Sequence, residues 1–383
     1  MTIEAPQPHA PPLRGRALFR WSPLTLAGVV FALLLVAILL QSLHLTGGRL
    51  VYALDDAYIH MAMAKNLVRH GTWGVTPHEF SSSSSSPLWT LLVSGGFALF
   101  GLQAAIPLIL NVVAALLVLG VAYVVLRRVD PGADGRVVFG LLLALIVVTP
   151  LVPLVMSGQE HLLHLATTLL FVHLAARRIV RPRPPATSAA ATWERVGFWV
   201  LPPVMMMIRY ESGFLLAPVG LLLATRRRWR EAVTLAALSL APVLIFGWLG
   251  HAHGDYLLPN PIMRKASFPW RATGEMIKTA TGYSAVRRLF VNPHLLFPLL
   301  VALVWLAWPS RGRARAEGEG TTMLFIFVVA LVLHLSFAEV GWFYRYEAYL
   351  LGLGILSLGV VTLERLPALR AAEASGTGAT RAG

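Results

Sequence analysis

Long apolar segments separated by short arginine-rich loops are the feature that most constrains the fold of this chain. Several of these segments are near 20 residues long, the length that an α-helix needs to cross about 30 Å of hydrocarbon. Of the 383 residues, 56% are hydrophobic and only 13% are charged, whereas a typical soluble domain has roughly 25% charged residues. The sequence therefore predicts an all-α polytopic membrane protein.

The net charge of +14 comes mostly from arginine. In a soluble protein this excess would indicate nucleic-acid binding. Here the arginines lie in short loops between apolar segments, where basic residues orient membrane proteins, so we predict no nucleic-acid partner. The chain has no cysteine, which excludes disulfides, thiolate metal sites and cysteine nucleophiles.

The positions of the basic residues also predict the topology. Arg14, Arg16 and Arg20 precede the first apolar segment and place the N-terminus in the cytoplasm. If residues 87–100 form a half-inserted helix instead of a span, all the later basic clusters fall on the cytoplasmic side, and otherwise only one does. We therefore predict the half-inserted helix. The later clusters are 127–136, 177–183, 226–230, 311–315 and 365–370.

This topology predicts a single membrane domain over residues 1–370 with about ten transmembrane helices, followed by a disordered cytoplasmic tail at 371–383. The first outer loop, about 44–103, contains an amphipathic helix and the half-inserted helix, and a later outer loop covers about 251–293. Both termini are cytoplasmic. The predicted spans are 22–43, 104–126, 137–155, 161–178, 196–209, 212–225, 231–250, 294–309, 322–339 and 346–364.

Two of these spans, 196–209 and 212–225, are too short for a normal crossing. They meet at Arg209, Tyr210 and Glu211. Charged residues at such a position are tolerated in a water-filled recess, so we expect one there.

Two adjacent acids, Asp55 and Asp56, open the segment LDDAYIHMAMAKNLVRHG. Its apolar residues share one stripe, which predicts an amphipathic helix at the membrane interface. The acids can be interpreted as capping this helix, whose dipole stabilises negative charge. One aspartate would suffice for that, and adjacent carboxylates repel each other unless cations or protons relieve them. We therefore favour a functional role on the outer face.

Other polar groups on the predicted outer face have both structural and functional interpretations. Glu160 follows a Ser-Gly turn and is either a helix-terminal acid or a site residue. His161 and His164 lie one helical turn apart, but helix-lining histidines are commoner than metal pairs. Residues 251–255 lack a spacing that closes a coordination sphere, so no metal site is predicted. The serine run at 81–86 is interpreted as a flexible loop.

Arg264, Lys265 and Arg345 are cations suited to an anionic ligand, because arginine binds phosphate in a bidentate manner and lysine acts as a point charge. Their alternative role is to reach lipid headgroups from the ends of membrane helices.

Four segments resemble motifs of GT-C-type glycosyltransferases, the polytopic enzymes that use polyprenyl-phosphate sugars. LDDAYIHMAMAKNLVRHGTWGVTPHE…SSPLWTLL is similar to the first outer loop of that family, with its acidic pair, amphipathic helix and membrane-dipping Pro-Leu-Trp segment. MSGQE, IRYESGFLLAP and YLLPNPIMRK resemble a Ser-Gly-acid turn, an Arg-Pro-Glu-Gly segment and a Leu-Pro-Asn…Lys loop. Tyr210 and Ser212 depart from the third motif. Arabinofuranosyltransferase-like and mannosyltransferase-like members are the most similar.

The resemblance implies transfer of a sugar, arabinofuranose or mannose, from a polyprenyl monophosphate with inversion at the anomeric carbon. The acceptor would be an extracytoplasmic glycan, lipid or protein. No cofactor is implied with certainty, and assistance by a divalent cation is left open. The high arginine and alanine content suggests a GC-rich bacterium, which favours these sugars and places the protein in the bacterial cytoplasmic membrane, among membrane lipids.

The resemblance also implies roles for individual residues. Asp55 or Asp56 would act as the base, and the other acid, with Glu160, would hold the acceptor or stabilise positive charge. The three cations Arg264, Lys265 and Arg345 would bind the donor phosphate. The residues assigned to sugar or acceptor binding are Tyr58, His60, His161, Arg209, Glu211, Asn260 and Tyr346.

A transporter or flippase for a lipid-linked sugar is the main alternative, and a structural subunit of an envelope-synthesis complex is a third interpretation. Transporters often show inverted repeats and polar groups at mid-depth in the membrane. The sequence shows no such repeat, and its polar groups collect on one face. We therefore predict an enzyme whose active site opens outward.

Overall fold

The computed structural model describes residues 21–181, 188–257, 282–307 and 318–379. Within these ranges the chain is helical and contains no β-strand. A short 3₁₀ helix, Tyr210–Ser212, precedes α9. The helices are α1 (Pro23–Leu45), α2 (Asp55–His70), α3 (Pro87–Phe100), α4 (Ile106–Val129), α5 (Gly135–Val148), α6 (Leu151–Met156), α7 (His161–Val180), α8 (Ala189–Ile208), α9 (Gly213–Thr225), α10 (Trp229–Ala252), α11 (Tyr283–Val291), α12 (Pro293–Ala307), α13 (Glu319–Phe337) and α14 (Ala348–Ala379).

Six of the described helices are long and apolar enough to cross a membrane, namely α1, α4, α7, α10, α13 and the Ala348–Arg365 part of α14. The pair α11 and α12, bent by 109°, makes a seventh if it is counted as one span. The chain is therefore a multi-pass membrane protein, as predicted. The predicted count of about ten spans is not confirmed, because α5 and Tyr210–Thr225 are shorter apolar helices and α8 is not among the helices that meet the criteria of length and hydropathy.

Two predicted spans differ from the observed helices. Residues 137–155 form two helices, α5 and α6, because Pro150 lacks an amide proton and interrupts the hydrogen-bond ladder. Residues 196–209 belong to α8, which has 20 residues and is not too short. The hydroxyl of Ser188 accepts a hydrogen bond from the amide of Ala191 and starts this helix early. Its first turns contain Thr192, Glu194 and Arg195, so apolar patterning identified only the second part.

The helix α3 has 14 residues and is about 21 Å long, shorter than the hydrocarbon core. It packs against α2, α8 and α4. The serine run before it, interpreted from the sequence as a flexible loop, has three buried side chains, Ser82, Ser84 and Ser86. The Ser84 hydroxyl lies 3.0 Å from the hydroxyl of Thr90 on α3, so the run packs against the helix.

The helix α7 lies at the centre of the bundle and packs against α4, α8, α13 and α14. With 20 residues it is about 30 Å long. The first outer loop and the turn at residues 157–160 lie at its N-terminal end, and Arg177 and Arg178 lie at its C-terminal end. The backbone of α14 continues to Ala379, into the segment 371–383 for which a disordered tail was predicted.

Arginines from three of the predicted cytoplasmic basic clusters meet at the C-terminal end of α7. They share two glutamates, each of which pairs with two arginines at 2.6–3.1 Å. This agrees with the prediction that these loops lie on one side of the membrane. We name this group the inner cluster, and its members are Arg128, Arg177, Glu194, Arg178, Arg228 and Glu231.

Candidate active site

The turn at residues 157–160 brings Gln159 and Glu160 to the outer end of α7. Gly158 within it has a φ of +68°, a left-handed conformation that favours glycine. A Cβ atom at Gly158 would lie 2.6 Å from the ring of Tyr52. The carbonyl of Gly158 accepts a hydrogen bond of 3.3 Å from the indole of Trp89 on α3. The first outer loop therefore holds this turn from two sides.

Tyr52 connects the start of the first outer loop to α4. Its hydroxyl donates to the carbonyl of Ala104 at 2.6 Å and accepts from the amide of Leu108 at 3.0 Å. Burial raises the pKa of Tyr52 to about 12, against the opposing effect of the Leu108 amide. The phenol therefore stays neutral and keeps its donor role at physiological pH.

Asp55 and Asp56 are the first two residues of α2, and the structure gives them different surroundings. The carboxylate of Asp55 is exposed and accepts a hydrogen bond of 3.0 Å from the Asp56 amide. The side chain of Asp56 is only 21% exposed and pairs with Arg345 at 2.8 Å. A guanidinium thus relieves the repulsion between the adjacent acids.

Arg345 is buried and contacts three further groups. Its Nη1 atom donates to Oε1 of Gln159 at 2.8 Å, and its Nη2 atom donates to the hydroxyl of Tyr346 at 2.8 Å. The guanidinium also lies 4.7 Å from the centroid of the Tyr346 ring, a cation–π distance. Nε2 of His161 lies 3.2 Å from the same Gln159 oxygen. Arg345 therefore links the first outer loop to α7 and α14.

The turn before Arg345 has an unusual backbone. Trp342, Phe343 and Tyr344 have φ values of +52°, +64° and +57°, in the left-handed region that costs non-glycine residues energy. The buried carboxylate of Glu347 accepts hydrogen bonds of 3.1 Å from the amide of Gly341 and lies 3.1 Å from Nε2 of His294. Glu347 thus holds this turn closed and fixes the position of the adjacent Arg345.

A second buried ion pair joins α7 to the start of α9. Nη1 of Arg209 donates to Oε1 of Glu160 at 2.6 Å, and its other donors bind Glu211. The Arg209 guanidinium lies 5.5 Å from the Tyr346 ring centroid, so the two ion pairs share one aromatic side chain. The other carboxylate oxygen of Glu160 lies 3.5 Å from Nε2 of His60.

His60 completes the connection back to the first outer loop. Its Nδ1 atom lies 2.9 Å from the hydroxyl of Thr90 on α3, and both side chains are buried. These contacts form one continuous group at the outer end of α7, beside the exposed Asp55. We name this group the outer cluster, and its members are Asp56, His60, Gln159, Glu160, His161, Arg209, Glu211, Arg345 and Tyr346.

Most of the residues predicted for the site therefore lie together. Tyr58 lies at the edge of the group, 43% exposed, with its hydroxyl accepting from the Tyr52 amide at 3.0 Å. Asn260, Arg264 and Lys265 lie outside the described residues.

Sequence reasoning did not assign roles to several residues that support the site. Gln159 belongs to the quoted MSGQE motif but was given no function. Glu347 lies two residues after Arg345, and an acid next to a span was the signal that selected Glu160, so the same criterion would have found it. Thr90 and His294 carry no local signal that distinguishes them from ordinary helix residues.

Among the described residues, no group of three or more histidine, aspartate and glutamate side chains is placed to bind a metal ion. The two histidines considered as a metal pair turn to different partners. His161 faces Gln159, whereas Nε2 of His164 lies 3.1 Å from the hydroxyl of Ser212.

The sequence matches no protein-family model and no curated protein. The fold is similar to the crystal structure of ArnT from Cupriavidus metallidurans bound to undecaprenyl phosphate, with a TM-score of 0.53 and 16% sequence identity. The match covers 88% of this chain and 59% of the ArnT chain. The apo structure of ArnT gives a TM-score of 0.50 at 15% identity over the same shares. This similarity confirms the GT-C-type fold predicted from the sequence.

Proposed function

We propose that this protein is a membrane glycosyltransferase that moves a sugar from a polyprenyl monophosphate to an acceptor on the extracytoplasmic side of the bacterial cytoplasmic membrane. One observation carries the proposal: an exposed carboxylate, Asp55, adjoins a buried group of alternating acids and arginines at one end of the bundle. The similarity of fold to ArnT, whose structure was determined with undecaprenyl phosphate, supports a donor of the same chemical class.

The chemistry needs a proton acceptor, a cation for the leaving phosphate and stabilisation of a cationic sugar. The acceptor hydroxyl attacks the anomeric carbon, and its proton passes to Asp55. The bond between the anomeric carbon and the phosphate oxygen breaks, and its electron pair stays on the phosphate. A single displacement of this kind inverts the anomeric centre.

Asp55 is the better candidate for the base because it is accessible to an acceptor. Asp56 is held by Arg345 at 2.8 Å, so its charge is engaged in a charge-assisted hydrogen bond. In our proposal Asp56 keeps Arg345 in place, and Arg345 binds the departing phosphate together with Arg264 and Lys265.

The second ion pair has a separate role in this proposal. Glu160, held by Arg209 and facing His60, stabilises positive charge that develops on the sugar and orients its hydroxyls. Glu211, His161, Tyr346 and the more peripheral Tyr58 contribute to sugar or acceptor binding, and so does Asn260, which lies outside the described residues. The prenyl chain lies along the apolar surface beside α3.

The finer assignments follow the sequence resemblance. Arabinofuranose or mannose is the transferred sugar, and the acceptor is a glycan, a lipid or a protein. Both termini lie in the cytoplasm, because the basic loops that precede and follow the spans are expected on that side.

The test is a transfer assay with purified protein in detergent, where no membrane gradient exists. Polyprenyl-phosphate sugars labelled in the sugar are supplied with envelope acceptors, and label moving to the acceptor is measured. We expect transfer from an arabinofuranose or mannose donor and inversion of the anomeric configuration. Binding of the donor without release or transfer of label would instead favour the transporter interpretation.

A further inference from the structure

The side-chain amide of Gln159 is buried, with 2% of its surface exposed, at the centre of the outer cluster. Its oxygen Oε1 lies 2.8 Å from Nη1 of Arg345 and 3.2 Å from Nε2 of His161. A guanidinium has no acceptor atom, so the oxygen of the amide must face Arg345. This contact fixes the orientation of the amide and directs its NH₂ group elsewhere.

Nε2 of Gln159 has no hydrogen-bond partner among the described residues, and neither does Nε of Arg345. Buried amide and guanidinium donors are rarely left unpaired, because each then loses its water without gaining a partner. The two atoms belong to side chains that contact each other, and both are donors. The ligand that satisfies them has to bring an acceptor, and an anionic oxygen suits the guanidinium best.

The other side of the outer cluster has the opposite character. Oε2 of Glu160 is buried, faces His60 at 3.5 Å and makes no hydrogen bond among the described residues. It is an acceptor and suits a hydroxyl group. The cluster therefore has a donor side at Gln159 and Arg345 and an acceptor side at Glu160.

We propose that the NH₂ group of Gln159, together with Nε of Arg345, binds a phosphate oxygen of the polyprenyl-linked substrate, while Glu160 faces a sugar hydroxyl. This inference rests on the proposed function and extends it, because it makes Gln159 a phosphate-binding residue. It also orients the donor headgroup, with the phosphate at Gln159 and Arg345 and the sugar at Glu160. His161 and Arg345 act on Gln159 by fixing its amide.

The experiment measures binding of undecaprenyl monophosphate to the purified full-length protein by native mass spectrometry, with undecaprenol and inorganic phosphate as comparison ligands. Gln159→Met removes both the donor and the acceptor. Gln159→Glu keeps an acceptor for Arg345 and His161 but removes the donor. We expect Gln159→Met to bind undecaprenyl monophosphate about 10- to 100-fold more weakly, the range for one hydrogen bond to a charged group. Gln159→Glu should bind at least as weakly, because its carboxylate also repels the phosphate.

The comparison ligands identify the group that is recognised. Undecaprenol should bind weakly and equally to all forms, because it lacks the phosphate. Inorganic phosphate should bind every form more weakly than undecaprenyl monophosphate does, because the prenyl chain no longer contributes. The wild type should still bind it more tightly than either variant. Asn111→Leu, which removes a buried amide from α4 outside the outer cluster, should leave binding unchanged.

The outcomes separate this inference from the proposed function. If the wild-type protein does not bind undecaprenyl monophosphate, both fail. If the wild type binds and Gln159→Glu binds equally well, Gln159 only positions Arg345, and the direct contact is excluded. Even if Gln159→Met does not fold, Gln159→Glu still tests whether Gln159 contacts the phosphate, because it retains the contacts that hold Arg345.

Discussion

The outer and inner clusters lie at opposite ends of α7, about 30 Å apart, and both pair arginines with largely buried glutamates. In the inner cluster each glutamate has two arginine partners, and an arginine also binds a helix-end carbonyl: Arg228 donates to the carbonyl of Arg178 at 2.7 Å. In the outer cluster Arg345 binds a side-chain amide, that of Gln159, whereas arginines of both clusters lie over aromatic rings.

The two clusters differ in whether all their buried polar atoms have partners among the described residues. In the inner cluster the charges are engaged with the ends of α4, α7, α8 and α10, which indicates a structural clamp. In the outer cluster donor atoms of Gln159 and Arg345 and an acceptor atom of Glu160 are unpaired among the described residues, which indicates a place for a ligand. The following predictions test this contrast.

The largest expected effect is on catalysis. Asp55→Asn should lower transfer by roughly 10²- to 10⁴-fold, the usual contribution of a general base. Stability should hardly change, because an asparagine oxygen can still accept from the Asp56 amide, the contact that Asp55 makes at 3.0 Å. The transfer rate and the Tm of the purified variant measure the two effects.

Asp130→Asn is the matched control in the inner loop, since the Asp130 carboxylate accepts a comparable hydrogen bond of 3.0 Å from the amide of Gly132. It should retain full activity. If the Asp55→Asn and Asp56→Asn variants, each folded and inserted, both kept full transfer activity, the assignment of the base would be wrong.

The second effect is on stability at the outer end. Arg209→Met leaves Glu160, 1% exposed, without its guanidinium, and breaking a buried pair in this way costs about 3–5 kcal/mol. The matched inner variant Arg178→Met should cost less, because Glu231 keeps Arg228. Unfolding of both variants in the same detergent measures the difference, and equal losses would contradict the contrast.

A third effect separates stability from function at the inner end. Glu231→Gln removes the shared partner of Arg178 and Arg228 and should lower stability by about 1–2 kcal/mol, between the values for exposed and buried pairs. Transfer per folded molecule should stay at the wild-type rate. A large loss of activity at unchanged Tm would show that the inner end takes part in function.

The smallest effect is expected at Arg128, whose side chain is 44% exposed. Arg128→Ala should cost less than about 1 kcal/mol, because Glu194 keeps its contact with Arg177. A Tm shift larger than that of Glu231→Gln would mean that the inner cluster behaves as one cooperative network.

Much of the fold could be predicted because it depends on local properties of the sequence. Apolar segments of about 20 residues correspond to α1, α4, α7 and α10, and the segment that the charge distribution set apart from the spans forms the short apolar helix α3. The predicted bounds of two helical segments were wrong because residues that break or begin a helix were overlooked. Pro150 was visible within the predicted span 137–155, and Ser188 with the alanines that follow it was visible before α8.

The site could be predicted only in part because it depends on contacts between distant segments. The type and position of Asp56, Glu160 and Arg345 marked them as candidates, but Asp56 and Arg345 are 289 residues apart, the difference between their numbers. No pattern within either segment indicates that they pair. The same holds for Gln159, because the orientation of its amide is set by Arg345, which lies 186 residues later in the sequence.

A central helix with both ends fastened limits how the protein can adapt to a substrate. Sliding or turning α7 would break ion pairs at both of its ends at once, so the residues that precede it act as a fixed reference. The helices α2 and α3 are joined to this reference through the contacts of His60 with Glu160 and of Trp89 with Gly158, so Asp55, the first residue of α2, is held at a set position relative to α7.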